Sequence, residues 1–223
     1  MKYKKYFRKT SLKQNGVGDF FLSEIYQKKP KIFLEVGVFH GVTARNVCEL
    51  LYSIHGDNFK YIGLDLFHES DENKDEIIPN TKFKNPLKNI YFNYIKRQNP
   101  YSIEAVEDLL KKFKNNVSLI KGNAINTIPK FIKDNPHLLI SLLFLDFDLY
   151  EPTKIALTHF LPRMPKGAIV AFDELDNPLW PGETKAMLEF FEEKKLLTEI
   201  KIFKLPTFPI SSSLFKMDKS FIM

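Results

Sequence analysis

Asp146, Asp148, Asp173 and Glu174 stand at the ends of two apolar runs, residues 138–145 and 168–172. Carboxylates gathered at the mouth of a buried element suit two kinds of chemistry. They can hold a hard divalent cation through oxygen ligands, and they can take a proton from a hydroxyl. An all-oxygen set favours magnesium or calcium over zinc. Each acid also has a structural alternative. Asp148 can cap the helix that begins near Pro152, Glu174 can be a solvated loop acid, and Glu183 fits the first turn of a helix, where the macrodipole favours a negative charge. Trp180, the sole tryptophan, either lines an acceptor pocket or anchors its loop.

The two runs are continuous rather than alternating, as in strands buried on both faces of a parallel sheet. In such sheets ligands sit outside the carboxyl ends of the strands, which is where these acids fall. The rest of the chain supplies the expected partners. Strands are expected at 31–36, 59–66, 117–121, 138–147, 168–172, 198–204 and 212–217. Helices are expected at 17–28, 42–54, 103–113 and 124–133, after Pro152, and at about 181–194. Lys29-Pro30 ends the first helix, Ser102 is a plausible N-cap, and Pro162, Pro165 and Gly167 mark the exit from the helix after Pro152.

Strands separated by helices imply right-handed parallel crossovers. The last two strands are too close for a crossover helix, so the final one should run antiparallel to its neighbour. The expected fold is a doubly wound, Rossmann-like α/β/α sandwich around a seven-stranded, mostly parallel sheet. Residues 1–30 form a basic tail and a helix, and residues 31–223 form the main domain. An insertion at about 68–101, acidic first and then basic and aromatic, lies on the ligand side as a lid, a substrate wall or a surface loop.

The 223 residues carry a formal charge of +6. Lys2, Lys4, Lys5, Arg8, Lys9 and Lys13 account for all of it: removing these six from 33 basic residues leaves 27, against 27 acids. A body without net charge argues against a nucleic-acid partner. The single cysteine, Cys48, excludes an internal disulfide and reads as a buried helical thiol. No stretch approaches the roughly 20 apolar residues of a membrane span, and no signal-peptide pattern opens the chain, so a cytoplasmic location is the default.

Glu35-x-Gly37-x-Phe39-x-Gly41 lies between a strand and a helix. In a dinucleotide fingerprint the second glycine lets the backbone approach a pyrophosphate, and here that position is Phe39. No phosphate-binding P-loop motif occurs either. A nucleoside cofactor without phosphate needs no such approach.

These residues resemble the class I S-adenosylmethionine-dependent methyltransferases. The resemblance implies that Glu35, Gly37 and Gly41 form the loop under the methionine part of the cofactor. Asp65, in Gly63-Leu-Asp-Leu-Phe67, would hold the ribose hydroxyls in a charge-assisted pair. Gly122, Asn123 and Ala124 fall where the family contacts adenine, and the closing hairpin is also characteristic of the family.

Within that class, Leu145-Asp-x-Asp-Leu-Tyr-Glu-Pro-Thr153, Pro165-x-Gly167, Phe172-Asp-Glu174 and Trp180-Pro-Gly-Glu183 resemble the macrocin-type sugar O-methyltransferases. This second resemblance implies a divalent ion, usually magnesium, held by Asp146, Asp173 and Glu174, with Asp148 as general base. The resemblance also places Asp146 beside the cofactor. Relatives often carry two aspartates where this chain has Asp173-Glu174. His40, inside the glycine loop, and His68, opening the insertion, are alternative functional histidines.

The expected function is thus metal-assisted methyl transfer to a sugar hydroxyl, in a nucleotide sugar, a glycosylated metabolite or a surface glycan, by a chain that is a candidate homo-oligomer. A catechol-type methyltransferase and a non-catalytic cofactor-binding or assembly module are the alternatives.

Overall fold

In the computed structural model the residues described are 17–67, 102–173, 175–176, 181–195, 200–204 and 213–217. The tail, the 68–101 insertion with His68, and Glu174 and Trp180 lie outside them.

The chain alternates α1 (Val17–Lys28), β1 (Ile32–Val36), α2 (Val42–His55) and β2 (Lys60–Asp65), then α3 (Ile103–Leu110), β3 (Val117–Lys121) and α4 (Ala124–Asp134). It continues through β4 (Leu142–Leu145), α5 (Tyr150–Phe160), β5 (Ile169–Phe172), α6 (Pro181–Glu193), β6 (Ile200–Lys204) and β7 (Ser213–Met217). Short 3-10 turns follow α3 and α5. Ser102 caps α3 by accepting from Ala105 N at 3.2 Å, as its residue type predicts.

Five strands in the order β3-β2-β1-β4-β5 run parallel and carry the site; β7 joins β5 antiparallel, and β6 pairs antiparallel with β7 at the edge. Successive strands are added on one side of β1 and then on the other. The switch between β1 and β4 opens the crevice in which α/β sheets of this kind bind ligands.

Strand residues alternate between two cores. Phe33, Tyr61, Leu142, Phe144 and Ala171 pack towards α1, α2 and α3, where Leu22, Val47, Cys48, Leu51 and Val106 meet them. Leu34, Ile62, Leu143, Val170 and Phe172 pack the other way, against Ile128, Leu157, Phe160 and Phe190 of α4, α5 and α6. Both faces are covered, which explains why the strands read as unbroken apolar runs.

The expected strand at 138–147 is shorter in the structure. Leu138 N bonds back to Asn135 O at 3.1 Å and Ile140 N to Arg163 O at 2.8 Å, so these residues serve a turn and Leu139 is exposed. Hydrophobicity alone does not separate an apolar turn from the strand it enters. Among the described residues no helix is long and apolar enough to cross a membrane.

Candidate active site

The parallel ladder does not stop at the last strand residue. Gly37 N donates to Leu64 O, Asp146 N to Val36 O, Asp173 N to Leu145 O and Gly122 N to Asp65 O, each at 2.9 Å. Gly122, Asp65, Gly37, Asp146 and Asp173 therefore stand in a row along the carboxyl edge, in strand order. The period of two adds a second constraint. Glu35, Asp65, Asp146 and Asp173 share the parity of Phe33, Tyr61, Phe144 and Ala171, so all four acids belong to the face covered by α1, α2 and α3.

Gly37 is required where β1 meets β4. Its φ is +87°, and a Cβ there would lie 1.8 Å from the carbonyl oxygen of Asp146. The chain then passes Phe39, whose N–H donates to Asp65 Oδ2 at 2.8 Å, and reaches Gly41 at the start of α2. The other oxygen of Asp65 accepts from Phe67 N at 3.1 Å. This carboxylate thus fixes the glycine loop and its own strand end together, with acceptor capacity left on each oxygen. Across β3, Asn123 caps α4 by accepting from Ile125 N at 3.0 Å, and Ala124 is buried beside it.

Glu35 is fully buried beneath this loop. The Tyr61 hydroxyl donates to its Oε2, while its Oε1 finds no hydrogen-bond partner among the described residues. Burial pushes its carboxyl up to about 8, the Tyr61 bond opposes that, and Asp65 and Asp173 add to it. Glu35, expected to face the cofactor, is therefore withdrawn into the interior. His40 is partly exposed and stacks edge-on against Phe39, their ring centroids 4.0 Å apart. Its pKa is lowered by burial, with the charge of Asp65 acting in the opposite sense.

On the other side of Gly37, the carboxyl of Asp146 is held well above the usual carboxylate range. Burial is the largest cause, followed by the charges of Asp173, Asp148, Glu183 and Glu35. Asp173 is buried one strand away. Asp148 has φ +61°, and it does not cap α5: that helix begins after Leu149 without a side-chain cap. His40 is therefore tied to the Asp65 side of the edge and Asp148 to the Asp146 side.

Crowded acids of this kind suit a hard cation, whose charge would reverse the repulsion that raises Asp146. Two of the expected ligands, Asp146 and Asp173, come together at neighbouring strand ends. Among the described residues no group of three His, Cys, Asp or Glu side chains forms a metal cage.

The sequence reading missed the second role of Glu183. It lies in the first turn of α6, as expected, but is fully buried, and its Oε1 accepts from Phe147 N at 2.9 Å and Asp148 N at 3.3 Å. The only available signal was its place directly after Gly182 in a Pro-Gly-Glu helix start.

A methyltransferase-domain family model matches residues 34–175, from β1 past Asp173. The apo structure of CalS11, a TDP-rhamnose 3'-O-methyltransferase of calicheamicin biosynthesis, is 27% identical, with a TM-score of 0.63 over 92% of this chain and 81% of that one. The O-methyltransferase NovP is 18% identical, with a TM-score of 0.67 over 89% and 80%. TomG from Streptomyces achromogenes, an O-methyltransferase of tomaymycin synthesis in complex with S-adenosylmethionine, is 13% identical, with a TM-score of 0.60 over 90% and 78%. No curated protein matches in sequence. With the model spanning well over half of its residues, this chain belongs to the methyltransferase-domain family and is an S-adenosylmethionine-dependent O-methyltransferase.

Proposed function

We propose that this enzyme methylates a hydroxyl of a sugar, carried by a nucleotide, a metabolite or a surface glycan, with the help of a divalent cation such as magnesium. The observation that carries the reading is the pair Asp146 and Asp173. These acids come from adjacent strand ends, and Asp146 is raised by burial and by its neighbour, directly against the glycine loop. The likeness to a TDP-rhamnose 3'-O-methyltransferase over 92% of the chain supports a sugar acceptor.

In this reading Gly37 and Gly41 pass beneath the methionine part of the cofactor, with Glu35 supporting that loop from below. Asp65 takes the ribose hydroxyls, and Gly122, Asn123 and Ala124 border the adenine. S-adenosylmethionine supplies an already activated methyl group, so most of the remaining barrier is alignment. Asp146, Asp173 and Glu174 would hold the cation, which supplies acidification of the attacking hydroxyl when bound. Asp148 accepts the hydroxyl proton on its carboxylate. His40 is the alternative base, since its lowered pKa keeps the imidazole neutral and able to accept at physiological pH.

The test is methyl transfer to TDP-sugars by the metal-stripped enzyme, with and without added magnesium, alongside Asp146→Asn. The expected result is magnesium-dependent transfer in the wild type and none in the variant, while S-adenosylhomocysteine still binds by calorimetry. Full activity after chelation, or unchanged turnover in Asp146→Asn, refutes the metal role. Transfer to a catechol and to no sugar refutes the acceptor class.

A further inference from the structure

The two loops that carry the acids leave different strands, yet both are tied to one helical turn. Glu183 Oε1 receives the N–H groups of Phe147 and Asp148, at 2.9 and 3.3 Å, from the loop after β4. The adjacent residue, Thr184, accepts from Asp176 N at 2.7 Å through its hydroxyl, from the loop after β5. The helix start is pressed against the first loop. A Cβ on Gly182 would lie 2.6 Å from Tyr150 N, 2.7 Å from Asp148 O and 2.8 Å from Leu149 C. The same contact is braced further along α5 and α6, where the Tyr150 hydroxyl donates to Glu189 and Lys154 pairs with Glu189 at 3.4 Å and Glu193 at 3.2 Å.

Asp148 benefits from such support because a non-glycine residue at φ +61° lies in the left-handed region, which costs energy that surrounding contacts can offset. Two backbone donors converging on one buried carboxylate oxygen supply such contacts directly.

We infer that Glu183 and Thr184 are positioning residues: through the first turn of α6 they set the Asp146 to Asp148 loop and the Asp173 to Asp176 loop relative to each other. The inference rests on the reading that Asp146, Asp148 and Asp173 carry the chemistry. It assigns α6 the task of holding constant the spacing between the proton acceptor and the paired acids. A misplacement of about 1 Å at such a site costs about 100-fold in rate.

The experiment compares Glu183→Ala, Glu183→Gln, Thr184→Val and Asp146→Asn in the full chain. Readouts are kcat and KM for a TDP-sugar, S-adenosylhomocysteine affinity, and amide exchange over residues 145–150 and 173–176. Glu183→Ala is expected to lower kcat about 100-fold and speed exchange at 147–148, with cofactor affinity within about threefold, because Gly37 and Asp65 are untouched. Glu183→Gln keeps the acceptor oxygen and should restore slow exchange and most of kcat. Thr184→Val should speed exchange at Asp176 and lower kcat with the cofactor site intact, which decides the matter if Glu183→Ala fails to fold. Unchanged kcat or unchanged exchange in Glu183→Ala and Thr184→Val overturns the inference. So does a parallel collapse of cofactor binding and turnover in both Glu183 variants, which would mean a purely structural role. An active Asp146→Asn instead sinks the functional reading beneath it.

Discussion

Glu35 offers a test of the electrostatics beneath the glycine loop through Glu35→Gln. The wild-type carboxyl is buried and pushed from 4.5 up to about 8, so the folded protein keeps its proton across a range in which the unfolded chain has released it. Stability from this group is therefore fully present below about pH 4.5 and is lost as pH rises towards about 8. Each pH unit inside that window costs about 1.4 kcal/mol, and the total between about pH 5 and about pH 8 is about 3.5 kcal/mol. Glutamine has the shape of the protonated acid and still accepts from the Tyr61 hydroxyl, but has no proton to lose. Urea unfolding of both proteins across this range should show the variant gaining on the wild type by about 3.5 kcal/mol, a relative midpoint shift of about 1 to 2 M. Comparing the two cancels the titrating groups that do not feel the charge of Glu35; Asp146, which does, contributes its own part to the difference. Parallel stability curves for the two proteins would mean that Glu35 is already ionised in the fold, and the account of this buried pair would be wrong.

Two further substitutions probe the edge of the sheet. Gly37→Ala drives a methyl group into the carbonyl of Asp146 at a positive φ, and thermal unfolding should register a loss of about 4 kcal/mol or more, together with loss of S-adenosylhomocysteine binding. A stable variant that still binds would contradict the close approach. Asp65→Asn removes charge from the proposed ribose acceptor, and calorimetry should find binding weakened about 10- to 100-fold, the equivalent of one charge-assisted hydrogen bond. Undiminished affinity would move the ribose elsewhere.

Much of this arrangement was legible in the chain because strands buried on both faces announce themselves as apolar runs and end in residues that break the run. Asp65, Asp146 and Asp173 were found by that signal, and Gly37 and Gly41 by their spacing after β1. What stayed hidden depends on partners distant in sequence. Glu35 looks like a loop acid until Tyr61, 26 residues away, is seen holding it in the interior. Glu183 reads as a first-turn acid until the amides of Phe147 and Asp148 appear against it. The early end of β4 was lost for a related reason: Leu138 and Ile140 are apolar like their neighbours, and only their bonds to Asn135 and Arg163 remove them from the strand.

The four acids on one face of the sheet owe their common direction to strand pairing rather than to any contact between them. A slip of β4 by a single residue would send Asp146 towards α5 and replace it with Leu145 or Phe147, and the same holds for Asp173 in β5. If these acids carry the proposed roles, turnover is a sensitive report on sheet alignment. A misregistered chain could keep its helical content, its compactness and much of its core while losing all activity. The same dependence limits how the site can be altered. The acids cannot be shifted by a fraction of a strand spacing, so on the proposed roles changes in acceptor preference have to come from the segments that leave the sheet.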